Sequence, residues 1–216
     1  MKKRIFLIAA AIILVALVCL VFTQIDNIKG VLYSFRYSPE EIENMISEND
    51  DGLKRDLESF IGHHIREFTE EENQQIEEGI VTKEQVIEKI VLEELKKNSD
   101  SASPNKDVSC YITSLYNLKN EYIGKLDGMV KSAVAEYKAL SKEERTRSKQ
   151  LEIGAAYAKK AMALEGECDG KVSEIVTNIE KILKSTGQST EIITTINNAY
   201  VSEKTLKRAY YLNMFK

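Results

Sequence analysis

Apolar positions in this chain fall into three regimes. The first is unbroken: "IFLIAAAIILVALVCLVF", Ile5 to Phe22, carries no charge and as a helix would extend roughly 27 Å, enough for a bilayer core. The second is short and punctuated. Leu53, Leu57, Phe60, Ile61, Ile65 and Phe68 recur at three and four, one helical face between polar breaks. The third is long: Val108, Ile112, Leu115, Leu118, Tyr122, Leu126, Met129, Ala133, Tyr137 and Leu140 keep the same step, the spacing of a coiled-coil seam.

Capping signals divide the middle regime. Ser38 with Glu41, Thr69 with Glu72, and Thr82 with Gln85 are capping boxes, with Pro39 at a first helical position. Gly79 stands where a helix ending before Thr82 needs a left-handed residue. These marks predict helices near 39–49, 52–66, 70–78 and 83–97. "NSDSASPNK" from Asn98 has no period and is rich in turn formers, so it reads as a linker.

Ser141 with Glu144 predicts a second long helix after a turn at 139–141. Its apolar positions are Leu151, Ala155, Ala158 and Met162, then Val172, Val176 and Ile179, with Gly166 and Gly170 as candidate bends. "STGQST", Ser185 to Thr190, breaks the chain again. A third helix, 190–213, brings Ile193, Ile196, Tyr200, Leu206 and Tyr210.

The expected fold class is all-α: an N-terminal single transmembrane helix, short acidic helices, then a long antiparallel helical hairpin with a third helix, a coiled-coil-like bundle. The expected domains are a cytoplasmic tail 1–4, an anchor 5–23, a juxtamembrane segment 24–37, an acidic helical segment 38–97, a linker 98–107 and the bundle 108–216. Two prolines, ten glycines and no tryptophan agree with a helical chain.

Lys2, Lys3 and Arg4 precede the apolar run. The positive-inside rule therefore places the N-terminus in the cytoplasm and the rest outside, as a single-pass cell-membrane protein. The alternative is a secretory signal, with the chain secreted after cleavage; the run is longer than usual for one, and Val21-Phe22-Thr23 is a poor small-x-small site. Cys19 is expected to be an apolar membrane residue, because Val18 stands where a lipoprotein signal wants a small side chain. With four residues before the run, no cytoplasmic domain is expected. Tyr33, Phe35, Tyr37 and Arg36 in "GVLYSFRY" have the composition of the headgroup level.

Charge is uneven. Residues 24–100 carry 9 basic against 20 acidic side chains, and residues 101–216 carry 18 against 14. An acidic chain without a basic stripe argues against a nucleic-acid partner, and the two halves are expected to attract in a salt-sensitive way.

Cys110 and Cys168 are the candidate disulfide. Their midpoint is residue 139, at the expected turn, so an antiparallel hairpin would level them. Both would lie outside, where paired cysteines are commonly structural, and closing that loop would stabilise by roughly 4 kcal/mol. Against this, Cys110 lies about 140° from the seam on an ideal helix. The alternative is two separate thiols.

Other motifs have bland readings. "SENDDGLKRDLE", Ser47 to Glu58, approaches a calcium loop but begins with Ser and has Lys54 where an aliphatic residue belongs; it reads as a polar break. His63 and His64 point about 100° apart on a helix; His63 with Glu67 could give two metal ligands without a third. No phosphate loop, nucleophile elbow, Cys-x-x-Cys or His-Glu-x-x-His occurs. No catalytic residue, metal or cofactor is expected. The leading reading is a structural or protein-interaction module of the cell envelope, meeting a partner helix through an apolar stripe left uncovered by the hairpin. Alternatives are a ligand- or ion-binding bundle, with polar groups lining its core, and a metal- or carboxylate-dependent hydrolase.

Overall fold

The structure, a computed structural model, describes residues 25–97 and 106–214. The expected membrane span, Ile5 to Phe22, and most of the expected linker lie outside those residues. Among the described residues no helix is long and apolar enough to cross a membrane.

The described chain is all-helical: α1 (Ile25–Arg36), α2 (Pro39–Ile61), α3 (Glu70–Glu77), α4 (Lys83–Lys97), α5 (Lys106–Ala139), α6 (Arg147–Ser185) and α7 (Glu191–Met214). It divides into two compact units, Met1–Asp51 with Asn198–Lys216, and Gly52–Asn197. The first unit groups the chain's last helical turns with its first helices.

The three capping boxes form as the spacing predicts. Glu41 Oε2 accepts from Ser38 N at 2.8 Å, Glu72 Oε2 from Thr69 N at 2.9 Å, and Gln85 Oε1 from Thr82 N at 2.9 Å. Gly79 takes φ +70°, and Gly62, just past α2, takes φ +71°, the left-handed geometry that closes a helix.

The expected break at 50–51 is absent; α2 runs through it as one helix. Gly52 weakens it by about 1 kcal/mol relative to Ala, but Ile42 and Leu57, on either side, are fully buried. A continuous helix also removes the calcium-loop reading. Residues two apart on a helix point about 200° apart, so Ser47, Asn49 and Asp51 cannot converge.

In the first unit Ile42, Leu206 and Ala209 form a core, with Tyr33, Tyr37, Met45, Ile46 and Tyr210 packed on it. Asn49 Nδ2 donates to Ala199 O and to Glu203 Oε2, both at 3.1 Å. α1 lies close on α7: a Cβ at Gly30 would stand 3.1 Å from Arg208 Cβ and 3.3 Å from Thr205 O.

In the second unit α5 packs along α6, and α4 packs on α5. Val86, Ile87, Ile90 and Val91 of α4 and Val108, Ile112 and Leu115 of α5 are buried. Lys83 meets Glu121 at 2.5 Å and Lys106 meets Glu88 at 2.6 Å. Those pairs are solvent-facing, where such contacts contribute about 0–1 kcal/mol. Apolar burial is therefore the larger contribution holding α4 to α5, with the two ion pairs beside it.

Candidate functional site

The hairpin turn spans 140–146 rather than 139–141. The Ser141–Glu144 box forms, with Ser141 N donating to Glu144 Oε2 at 3.1 Å, but it caps only a single turn. Arg145 donates to Leu140 O at 3.1 Å and to Lys138 O at 2.6 Å, closing the end of α5. Thr146 is the N-cap of α6, its side chain accepting from Lys149 N at 3.2 Å.

Two rungs set the register of the two helices. Tyr122 OH donates to Glu167 Oε1 at 2.6 Å, with Lys171 on the same carboxylate at 3.0 Å. Burial, and then the Glu167 carboxylate, push the Tyr122 hydroxyl above its ordinary range, and the shared contacts raise Lys171. Nearer the turn, Tyr157 is raised by burial and by its hydrogen bond to Glu136. Both rungs place equal height near residue 145, not 139.

This register accounts for the cysteines. The expected Cys110–Cys168 bond is not made: both residues are thiols, Cys110 half-buried and Cys168 buried. Cys168 is level with Tyr122, twelve residues along α5 from Cys110, an offset of about 18 Å. A disulfide needs Cα atoms within about 7 Å. Burial raises the Cys110 thiol pKa, partly offset by Lys106, so the group stays protonated.

The inward face of α6 is Ile153, Tyr157, Ala161, Leu164, Cys168, Val172, Val176, Ile179 and Leu183, each buried or half-buried. The expected second half of the seam agrees with this stripe; the first half does not. Leu151 is 59% exposed and Met162 70%, and Ala155 and Ala158 between them are exposed. These four share one face at spacings of four, three and four. They form an apolar strip on the outer surface of α6, beside the turn. Continuity is the signal that identifies it. The inward stripe runs the length of the helix, whereas beyond Met162 the outer face meets Glu165, Gly166 and Asp169.

The base of the hairpin is built otherwise. Asn117 of α5 accepts from Phe68 N at 2.9 Å and donates to Arg66 O at 3.3 Å and Thr113 O at 3.0 Å. It thereby fixes the 62–69 loop. Arg66 forms a two-pronged pair with Glu72 at 2.7 and 2.8 Å, which holds that carboxyl down at about 2. His63 is buried, its Nδ1 3.0 Å from His64 O. His64 lies 3.4 Å from Glu58. His63 and Glu67 share a loop rather than a helix turn, and no metal-holding group of three or more occurs among the described residues.

Among the aromatic residues expected at the headgroup level, Tyr33 and Tyr37 turn onto the first unit's core, 5.4 Å apart edge to face. Phe35 faces outward. No family model matches the chain, and no curated protein or solved structure matches it.

Proposed function

We propose that this chain is a structural or protein-interaction module of the cell envelope, tethered by residues 5–23 with its helical bulk outside the membrane. Its working surface is the strip Leu151, Ala155, Ala158 and Met162, which receives a helix of a protein partner. The observation that carries this is the exposure of Leu151 and Met162 on one face. The small Ala155 and Ala158 between them allow close approach of a second backbone, and apolar anchors at helical spacing suit helix-to-helix recognition. The anchor reading is supported by the uncharged run Ile5 to Phe22 behind Lys2, Lys3 and Arg4.

A photo-crosslinking amino acid at Met162 or Ala158 in intact cells should capture one discrete protein. The same group at Ala156 or Lys160, exposed on another side of α6, should give little. Equal labelling at all four positions, or none, would defeat the proposal.

A second reading, a ligand- or ion-binding bundle, is favoured by four buried polar atoms without a hydrogen-bond partner: His63 Nε2, Ser109 Oγ, Thr113 Oγ1 and Asn120 Nδ2. Buried polar groups are ordinarily satisfied. Replacing Ser109 and Thr113 by Ala and Val separates the two readings. A scaffold gains or keeps stability, while a binder loses a ligand-dependent rise in thermal midpoint.

A further inference from the structure

The helix α1 divides its residues between two surroundings. On a wheel of about 100° per residue, Gly30, Tyr33, Ser34 and Tyr37 share one side. That side is occupied: Gly30 and Ser34 are buried, Tyr33 and Tyr37 lie on the core, and Asn213 Nδ2 donates to Tyr37 O at 3.3 Å. Ile28, Val31, Leu32 and Phe35 fall on the opposite side, within an arc of about 100°. All four are exposed, Leu32 by 59% and Phe35 by 76%. Lys29 and Arg36, also exposed, lie about 90° from the centre of that arc, along one flank.

An apolar stripe flanked by cations on a helix pinned from behind suits one occupant, the headgroup and upper acyl region of an anionic bilayer. Three observations favour lipid over a protein partner. Only two residues separate the uncharged run Ile5 to Phe22 from Ile25, where α1 begins, so a membrane reached by the one is within reach of the other. No acidic side chain occurs from residue 28 to 37. The flanking Lys and Arg have stems long enough to stay on the apolar surface while their charges reach phosphate.

We infer that α1 is an interfacial helix whose Ile28, Val31, Leu32 and Phe35 enter the outer face of an anionic membrane. Its other side holds the first unit against that surface. Tyr33 and Tyr37 are then positioning residues between helix and unit, not headgroup ligands. The inference rests on the anchor reading above and specifies how the tethered unit is seated.

The chain has no tryptophan, so Phe35→Trp and, separately, Leu32→Trp each introduce a single reporter, and Leu151→Trp in α6 serves as comparison. The full-length chain is reconstituted in phosphatidylcholine–phosphatidylglycerol vesicles, with brominated lipid as quencher, and then washed in alkaline carbonate. The expected result is blue-shifted emission at 35 and 32 that loses most of its intensity to brominated lipid, unquenched emission at 151, and a chain that survives the wash. A wash-resistant chain unquenched at both 35 and 32 would overturn the inference and leave the anchor standing. Blue-shifted but unquenched emission would equally overturn it, by showing that protein covers the face. Quenching followed by extraction in carbonate would retain the α1 surface and remove the anchor.

Discussion

The base and the tip of the α5–α6 hairpin are made from the same repeat and behave as different materials. From Val108 to Tyr122, α5 buries Val108, Ile112, Leu115, Tyr116 and Tyr122, together with Ser109, Thr113 and Asn117. From residue 123 to the turn its only buried side chain is Ala133. On α6 the contrast is the same: Cys168, Val172, Val176, Ile179 and Leu183 are buried toward the base, and only Ile153 toward the tip. An apolar period therefore guarantees a helix and a facing direction, but not burial. Burial needs a third partner, which α4 and the 62–69 loop provide at the base.

The largest effect that follows is on the core. Ile179→Ala removes a fully buried side chain and should cost about 2–5 kcal/mol in denaturant unfolding, whereas Met162→Ala at the tip should stay within about 0.5 kcal/mol. Equal losses would erase the distinction between the two regions.

Next in size is a dependence on acid. Glu72 titrates at about 2 in the folded chain, below its ordinary 4.5, because Arg66 and the Thr69 amide hold the charged form. Its folded pKa is depressed, so its contribution is complete above about 4.5 and disappears as pH falls through about 2. That contribution is on the order of 2 kcal/mol. Glu72→Gln should flatten stability between those pH values. An unchanged pH profile would show that the Arg66 pair does not hold the 62–69 loop.

Smaller still, Leu151→Ser with Met162→Ser should leave the unfolding midpoint almost unmoved while abolishing capture of the partner at position 158. A large fall in midpoint would place these side chains in the core. The last expectation is of no effect. Copper–phenanthroline oxidation of the folded chain should give no peptide linking Cys110 to Cys168, and such a peptide would refute a register centred near 145.

Much of this architecture was legible in the residues. The capping boxes at Ser38, Thr69 and Thr82, the glycine at 79, the break at 186–190 and the α5 stripe all follow local rules that depend on near neighbours. What escaped depended on distant ones. Gly52 looks like a break until Ile42 and Leu57 are seen to be buried on either side of it. Leu151 and Met162 look like seam residues because an apolar strip has the same spacing whether or not anything covers it. The cysteine pair followed from placing the turn at 139; Arg145, which closes α5 and lengthens the turn, is a charged loop residue with no pattern to mark its role. The outward side of α1 was hidden by composition. Its tyrosines resemble headgroup aromatics, and only Gly30 against Arg208 shows which side faces protein.

Native-state hydrogen exchange along the hairpin tests the central claim most directly, since amides in sparsely packed regions exchange by local opening and those in the core require global unfolding. Amides of 126–139 and 147–160 should exchange well ahead of those of 108–122 and 168–183, with the slow set alone tracking global stability in denaturant. Uniform protection from base to tip would contradict the account, because the hairpin would then be one cooperative body with no lightly packed arm to offer a partner.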